Sequence, residues 1–186
     1  MSERRRHRAY LSLGSNIEPE SNLPAALREL ARFGRVTAVS RVWESAPFGG
    51  DPTTASPANN FLNAAALLET ELPADAVCFD AIPAVERSLG RVRDPRDKNA
   101  PRTIDVDLSL FDFDVLTVRH KRIPDPEILL RAFVAIPLAE LAPLYRHPVD
   151  GRTLAEIAGE LSGAQILAVR DDVRLPLISS TTESSR

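Results

Sequence analysis

Two carboxylates, Asp105 and Asp107, carry the plainest capacity for chemistry in this chain, within the stretch Arg102-Thr-Ile-Asp-Val-Asp-Leu-Ser-Leu110. The stretch reads as a strand. Side chains alternate between faces along a strand, so Ile104, Val106, Leu108 and Leu110 point one way and Thr103, Asp105, Asp107 and Ser109 the other. Aspartate is disfavoured in strands, and two carboxylates two residues apart sit roughly 7 Å apart at about 3.3 Å of rise per residue. They repel each other unless something positive lies between them. Mg²⁺ suits such a pair, because it takes one or two protein carboxylates and fills its octahedron with water and phosphate oxygens. A half-exposed strand with both aspartates in water has the same local pattern, so the neighbouring segments have to decide.

The preceding segment is basic, with Arg91, Arg93, Arg96, Lys98 and Arg102 arriving just before the aspartates. Arginine offers a planar fork for phosphate oxygens, and a polyphosphate needs several positive charges besides a metal. A solvated charged loop has this composition too, but a basic loop feeding straight into a paired-Asp strand points to phosphate. Farther upstream, Phe61 and Asn63 share a strand face, an aromatic plane beside an amide able to read the polar edge of a heterocycle. Arg131 and Phe133 could face the same site.

The elements that must position these residues follow from periodicity. Ala9 to Leu13 reads as a first strand leaving through Gly14-Ser15-Asn16, and Asn22 and Pro24 open a helix whose apolar stripe ends before Gly34. Val36 to Ser45 and Phe61 to Thr70 read as strands on either side of a long Pro- and Gly-rich loop, 46–60. Ala74 to Leu89 carries a helical pattern that Pro83 should kink near Phe79, and Gly90 stops it. Asp112 and Asp114 fall in a bend before Val115 to Val118, and Ile123-Pro-Asp-Pro126 forms an extended connector. A helix then runs toward Leu141, and Thr153-Leu-Ala-Glu156 is a capping box for a short C-terminal helix. The order implies an α+β ferredoxin-like sandwich: a four-stranded antiparallel sheet with helices on one face, plus a short hairpin and a C-terminal helix.

At 186 residues and 44% apolar, the chain suits a single domain, expected over 9–163, with 1–8 a disordered basic leader and 177–186 a disordered tail. A net charge of -3 argues against a nucleic-acid or membrane-surface partner, and the aromatics an RNA-binding sheet would display are not evident. The lone Cys78 excludes an internal disulfide and suits a reduced, cytoplasmic setting. The expected working unit is a monomer acting on small molecules.

Six segments, in order, resemble the 6-hydroxymethyl-7,8-dihydropterin pyrophosphokinase family: Tyr10-Leu-Ser-Leu-Gly-Ser-Asn16, Ser45-Ala-Pro-Phe-Gly49, Phe61-Leu-Asn63, Glu86 with Leu89-Gly-Arg-Val-Arg93, Pro101-Arg-Thr-Ile-Asp-Val-Asp107, and Arg131-Ala-Phe133 with Pro137-Leu138. The resemblance spans about Tyr10 to Leu161. It implies transfer of a pyrophosphoryl group from ATP to the hydroxymethyl oxygen of the pterin, releasing AMP. By that resemblance Asp105 and Asp107 hold two Mg²⁺ ions, and Arg91, Arg93 and Arg102 neutralise phosphate as further catalytic residues. Glu86, Ile104 and Arg131 join the arginines on the nucleotide side. Asn63 pairs with the pterin edge, Phe61 and Phe133 sandwich the ring, and Ser45, Pro47 and Phe48 wall the pocket.

Three positions depart from the family pattern, all on the nucleotide side. Asp125 stands where the family has a phosphate-facing histidine, Asn99 where a tryptophan is common, and Pro83 where a helix can offer a polar side chain. A carboxylate at 125 opposes ATP, and Arg122 is the candidate to offset it. The corresponding alternative is a paralogue that binds a pterin or nucleotide with altered or lost activity.

Overall fold

The computed structural model describes residues 5–47, 60–92, 101–162 and 167–178. The third expected strand, β4 (Phe61–Thr70), is the spine of an antiparallel sheet ordered β5-β1-β4-β3-β8, with β2 also paired to β4. Its neighbours are β1 (His7–Ser15) on one side and β2 (Arg35–Val39) and β3 (Trp43–Ser45) on the other. β5 (Asp105–Phe111) forms one outer edge and a short β8 (Ala168–Val169) the other. Almost all of β4 is buried, as befits a strand paired on both edges and covered on both faces.

The α+β class with an antiparallel sheet holds, but the sheet has six strands where four were expected. The single strand expected over 36–45 is broken at Ser40, whose Oγ accepts from the Ala65 amide at 2.8 Å, so β2 and β3 pair with β4 as separate pieces. β1 starts at His7, inside the expected leader, because Asp112 takes both the His7 ring at 2.8 Å and the Arg8 amide at 2.8 Å. At the other end, 167–178 lies beyond the expected domain boundary, yet β8 pairs with β3 and Val173 enters the core. The two-residue strand was too short to leave a periodic signal.

Helices cover both faces, not one. α1 (Pro19–Leu30) and α3 (Ile82–Ser88) pack with Leu11, Leu13, Leu68, Val106 and Leu108 on one side. α4 (Ala132–Leu141) and α5 (Leu154–Ser162) pack with Tyr10, Leu67 and Leu110 on the other. Leu110 therefore faces away from Leu108, against strict alternation. The register with β1 slips between Tyr10 and Leu11, a bulge that turns the end of β5 over.

α1 begins a turn earlier than Asn22, at Pro19, so Pro24 lies inside it and Asn22 Nδ2 instead donates to the Ile17 carbonyl at 2.6 Å. Gly34 is required where the chain turns back: a β-carbon there would lie 2.3 Å from the Glu69 carbonyl oxygen. The kink expected near Pro83 takes the form of a π-helical turn, Val77–Ala81, between α2 (Ala74–Ala76) and α3. That turn widens the helix just where proline cannot donate its bond. Beyond β5, β6 (Leu116–Val118) and β7 (Lys121–Ile123) form the hairpin, and Asp125 caps a 3-10 turn, Pro126–Leu129. The capping box at α5 forms as read: the Glu156 amide donates to Thr153 Oγ1 at 3.2 Å, and Glu156 Oε2 accepts from the Thr153 amide at 2.7 Å. Among the described residues no helix is long and apolar enough to cross a membrane.

Candidate functional site

The register across the sheet assembles the site. Asp105 lies opposite Gly14, Gly14 opposite Asn63, and Asn63 opposite Trp43, so one row running across four strands carries the carboxylate, a bare backbone position and the amide. The next row places Asp107 opposite Ser12. A β-carbon at Gly14 would stand 3.5 Å from Asn63 Oδ1 and 4.0 Å from the Phe61 ring, so glycine leaves open the floor between amide and carboxylates. Above this floor is a cavity of about 280 Å³ lined by Asp105, Asp107, Arg102, Asn63, Phe61 and Phe133 among others, at the low end of the range for small-molecule sites.

Of the residues singled out from the sequence, Ser45, Pro47, Phe61, Asn63, Arg102, Asp105, Asp107, Arg131 and Phe133 all line this cavity. Glu86, Arg91 and the Ile104 side chain stand behind its wall. Arg91, whose side chain is 8% exposed, donates through Nη1 to Glu86 Oε1 at 2.7 Å, to the Ile104 carbonyl at 2.9 Å and to Asp105 Oδ1. Glu86 Oε1 also accepts from the Val106 amide at 3.2 Å, tying α3 to β5. These three residues hold Asp105 in place from within the core, and what Ile104 offers the site is its carbonyl. Phe48, Arg93 and Asn99 lie outside the described residues.

The other oxygen of Asp105 accepts from Arg102 Nη1 at 2.6 Å, and the Arg102 guanidinium lies 5.6 Å above the Phe61 ring. Arg102 is fixed by the end of β1: its amide donates to Asn16 Oδ1 at 2.7 Å, its carbonyl accepts from the Asn16 amide at 3.2 Å, and Ser15 Oγ donates to the Thr103 carbonyl at 2.6 Å. Gly14-Ser15-Asn16 was read as a turn. Its further role as a clamp depends on residues almost ninety positions away, which local spacing cannot reveal.

The two carboxylates differ electrostatically. Burial pushes the Asp105 carboxyl up, but Arg91 and Arg102 outweigh it and hold the group below the usual range. Asp107 is raised, by burial first and by the Asp105 charge second, against the opposing pull of Lys121, whose ammonium donates to Asp107 Oδ1. Asp125 also lines the cavity and is pushed up to about 6, chiefly by burial and against the stabilising bond from the Glu127 amide at 2.9 Å. Arg122, expected to offset Asp125, is exposed, and Arg131 pairs with Glu127 at 2.7 Å. Lys121 is the cation nearest in role, and sequence reading left it unassigned.

Asn63 is buried, and its Nδ2 donates to Ser45 Oγ at 2.9 Å and the Trp43 carbonyl at 3.2 Å. With its donors so engaged, the side chain offers Oδ1 as an acceptor over Gly14. Asn63→Ala is expected to weaken a ring ligand with an N–H edge by about 1–3 kcal/mol while sparing a phosphate ligand, since it leaves that edge unpaired. Calorimetry with each ligand separately measures the difference.

Residues 10–143 match the model of the family described as 7,8-dihydro-6-hydroxymethylpterin-pyrophosphokinase (HPPK). A Pseudomonas aeruginosa protein named 2-amino-4-hydroxy-6-hydroxymethyldihydropteridine pyrophosphokinase is 42% identical over 156 residues, 81% of this chain and 89% of that protein. One of the same name from Methylorubrum extorquens is 34% identical over 160 residues, covering 86% and 96%. Among solved structures, wild-type Plasmodium falciparum HPPK-DHPS with pteroate superposes with a TM-score of 0.64 at 13% identity, a likeness of fold covering 88% of this chain and 44% of that one. With a family match over most of its length and relatives this similar, the chain belongs to the 7,8-dihydro-6-hydroxymethylpterin-pyrophosphokinase family.

Proposed function

We propose that the chain transfers the terminal pyrophosphoryl group of ATP to the hydroxymethyl oxygen of 6-hydroxymethyl-7,8-dihydropterin, releasing AMP. The observation that carries this is one cavity lined by Asn63, Phe61 and Phe133 together with two carboxylates, Asp105 backed by arginines and Asp107 by Lys121. Sheet register sets the distance between Asn63 and the carboxylates, so the attacking hydroxyl and the phosphate chain meet on a rigid floor at Gly14. Arg102 and Arg131 line the phosphate side and donate to its oxygens, while Arg91 fixes the orientation of Asp105 without entering the cavity. The hydroxymethyl oxygen forms its bond to the β-phosphorus as the bond from that phosphorus to the α,β-bridging oxygen breaks; AMP departs with that oxygen, and the hydroxyl proton is lost to solvent.

Asp105 and Asp107 suit Mg²⁺ as hard oxygen donors with unused lone pairs. Among the described residues no group of three or more His, Cys, Asp or Glu side chains is gathered for a metal, and Asp105 and Asp107 would hold the ions together with phosphate oxygens of the substrate. When bound, two Mg²⁺ ions would supply charge neutralisation of the phosphates and polarise the oxygens about the β-phosphorus. The buried free thiol of Cys78 supports a reducing, cytoplasmic setting. The test is AMP release with hydroxymethyldihydropterin, ATP and Mg²⁺, where absence of AMP formation that depends on the pterin would refute the reading.

Asp125 tests the charge balance of the same cavity. Asp125→Asn keeps an acceptor for the Glu127 amide and removes a negative charge, so an ATP analogue should bind more tightly at low salt, with the gain shrinking as salt rises. The same variant has a stability signature. An acid whose folded pKa is raised favours its neutral form in the folded state, so the wild type loses stability as pH climbs from the ordinary value of 3.8 to about 6. The variant should therefore gain on the wild type through that window, by on the order of 3 kcal/mol, and hold the gain above it. Denaturant melts at pH 4, 5, 6 and 7 measure this, and a gap unchanged with pH would refute the buried carboxyl.

A further inference from the structure

Lys121 is the cation of the site that its surroundings leave movable. Arg91 is locked among Glu86, the Ile104 carbonyl and Asp105, Arg102 is held by Asp105 and stacks over Phe61, and Arg131 is paired with Glu127. Among the described residues Lys121 Nζ meets one acceptor, Asp107 Oδ1, with three donors to fill and a side chain 44% exposed. Its backbone, by contrast, is well fixed. On one side the Arg119 guanidinium lies 4.2 Å from the centre of the Phe79 ring, and the His120 ring packs edge-on against Phe79 at 5.7 Å; on the other, Ile123 is buried in the core. A hairpin packed on both sides thus carries a compact point charge on a flexible stem to Asp107, a residue that lines the cavity.

We infer that Lys121 is a further catalytic residue, which in the free protein occupies Asp107 and in the nucleotide-bound protein exchanges that carboxylate for a phosphate oxygen of the substrate. This rests on the proposed phosphoryl-transfer reading of the site. A divalent cation taking up Asp107 displaces the ammonium from its acceptor, and the bound polyphosphate brings new acceptors into the cavity at the same moment. The exchange also adds positive charge on the side of Asp125, whose carboxyl lines the cavity within the field of Lys121. In the free protein Lys121 holds the place of the cation, and in the complex it adds to the positive charge around the phosphates.

The test compares wild type with Lys121→Met and Lys121→Arg in three measurements: binding of a non-hydrolysable ATP analogue with Mg²⁺, binding of Mn²⁺ alone, and melting of the free protein. Loss of one charge-assisted bond should weaken the analogue about tenfold in Lys121→Met, steeply at low salt, with near-wild-type binding restored by Lys121→Arg. Mn²⁺ alone should bind Lys121→Met more tightly, because its competitor for Asp107 is gone. Pterin affinity and the melting temperature should hardly move. Analogue binding unchanged in Lys121→Met overturns the inference, as does a loss shared equally by analogue and pterin, the mark of a lysine that only pins the hairpin. These readouts need no turnover, so a protein that binds the analogue through Lys121 yet makes no AMP would sink the proposed activity and leave the phosphate contact standing.

Discussion

Asp107→Ala is expected to lower pyrophosphoryl transfer by about a thousandfold or more, equivalent to the several kcal/mol of transition-state stabilisation a metal-binding carboxylate supports, with little loss of fold stability. Its partner in the free protein is the half-exposed Lys121, and ion pairs of that kind contribute only about 0–1 kcal/mol. Asp105→Ala should cost as much activity but also about 1–3 kcal/mol of stability, because it strips an acceptor from the buried Arg91 and from Arg102. The two aspartates thus separate in a melt while matching in an assay. Steady-state kinetics with ATP and the pterin, alongside denaturant unfolding of both variants, make the comparison. Near-normal turnover in either variant would remove that carboxylate from the reaction.

Glu86→Ala is expected to be the most destabilising substitution at the site, by about 3–5 kcal/mol, since it leaves the buried Arg91 with one carboxylate fewer and no repacking to compensate. The same change frees the Val106 amide on β5 and loosens the orientation of Asp105. Activity in whatever fraction folds should fall with little change in pterin affinity, because Glu86 lies behind the carboxylates and away from Asn63. Glu86→Gln, which keeps an acceptor and the volume but not the charge, should recover part of the stability. If Glu86→Ala melted within 1 kcal/mol of wild type, Arg91 would have another route to neutralisation and the buried relay would be the wrong account. Thermal and denaturant unfolding monitored by circular dichroism decide it.

The sequence on its own determined the chemistry-bearing residues where a type and a spacing conflict with bland structure. Two aspartates in a strand, arginines packed ahead of them, and an asparagine beside a phenylalanine at a strand start are each unfavourable or uninformative for folding alone, and those among the described residues reach the cavity or its supporting wall. Helical and strand periods were legible where an element was long enough to repeat, as in the stripe of α1 and in β5 as far as Leu108. They failed where a single residue interrupts the pattern: at Ser40, which splits a strand by accepting a backbone bond, and at the bulge that turns Leu110 to the other face.

Only the tertiary structure decided which groups stand in front of the site and which behind it. Glu86, Arg91 and Ile104 belong to one hydrogen-bonded relay because α3 packs under β5, a fact of long-range packing that neighbours in sequence do not encode. The clamp from Ser15 and Asn16 onto residues 102–103, and the placing of Lys121 on Asp107, depend in the same way on strand register and on a hairpin held by Phe79. Covering of both sheet faces was likewise hidden, because α4 is apolar nearly all round and shows no amphipathic stripe to say which layer it joins. Local physics selects the residue types a site requires, whereas the partner of each charge is set by which segments the sheet brings side by side.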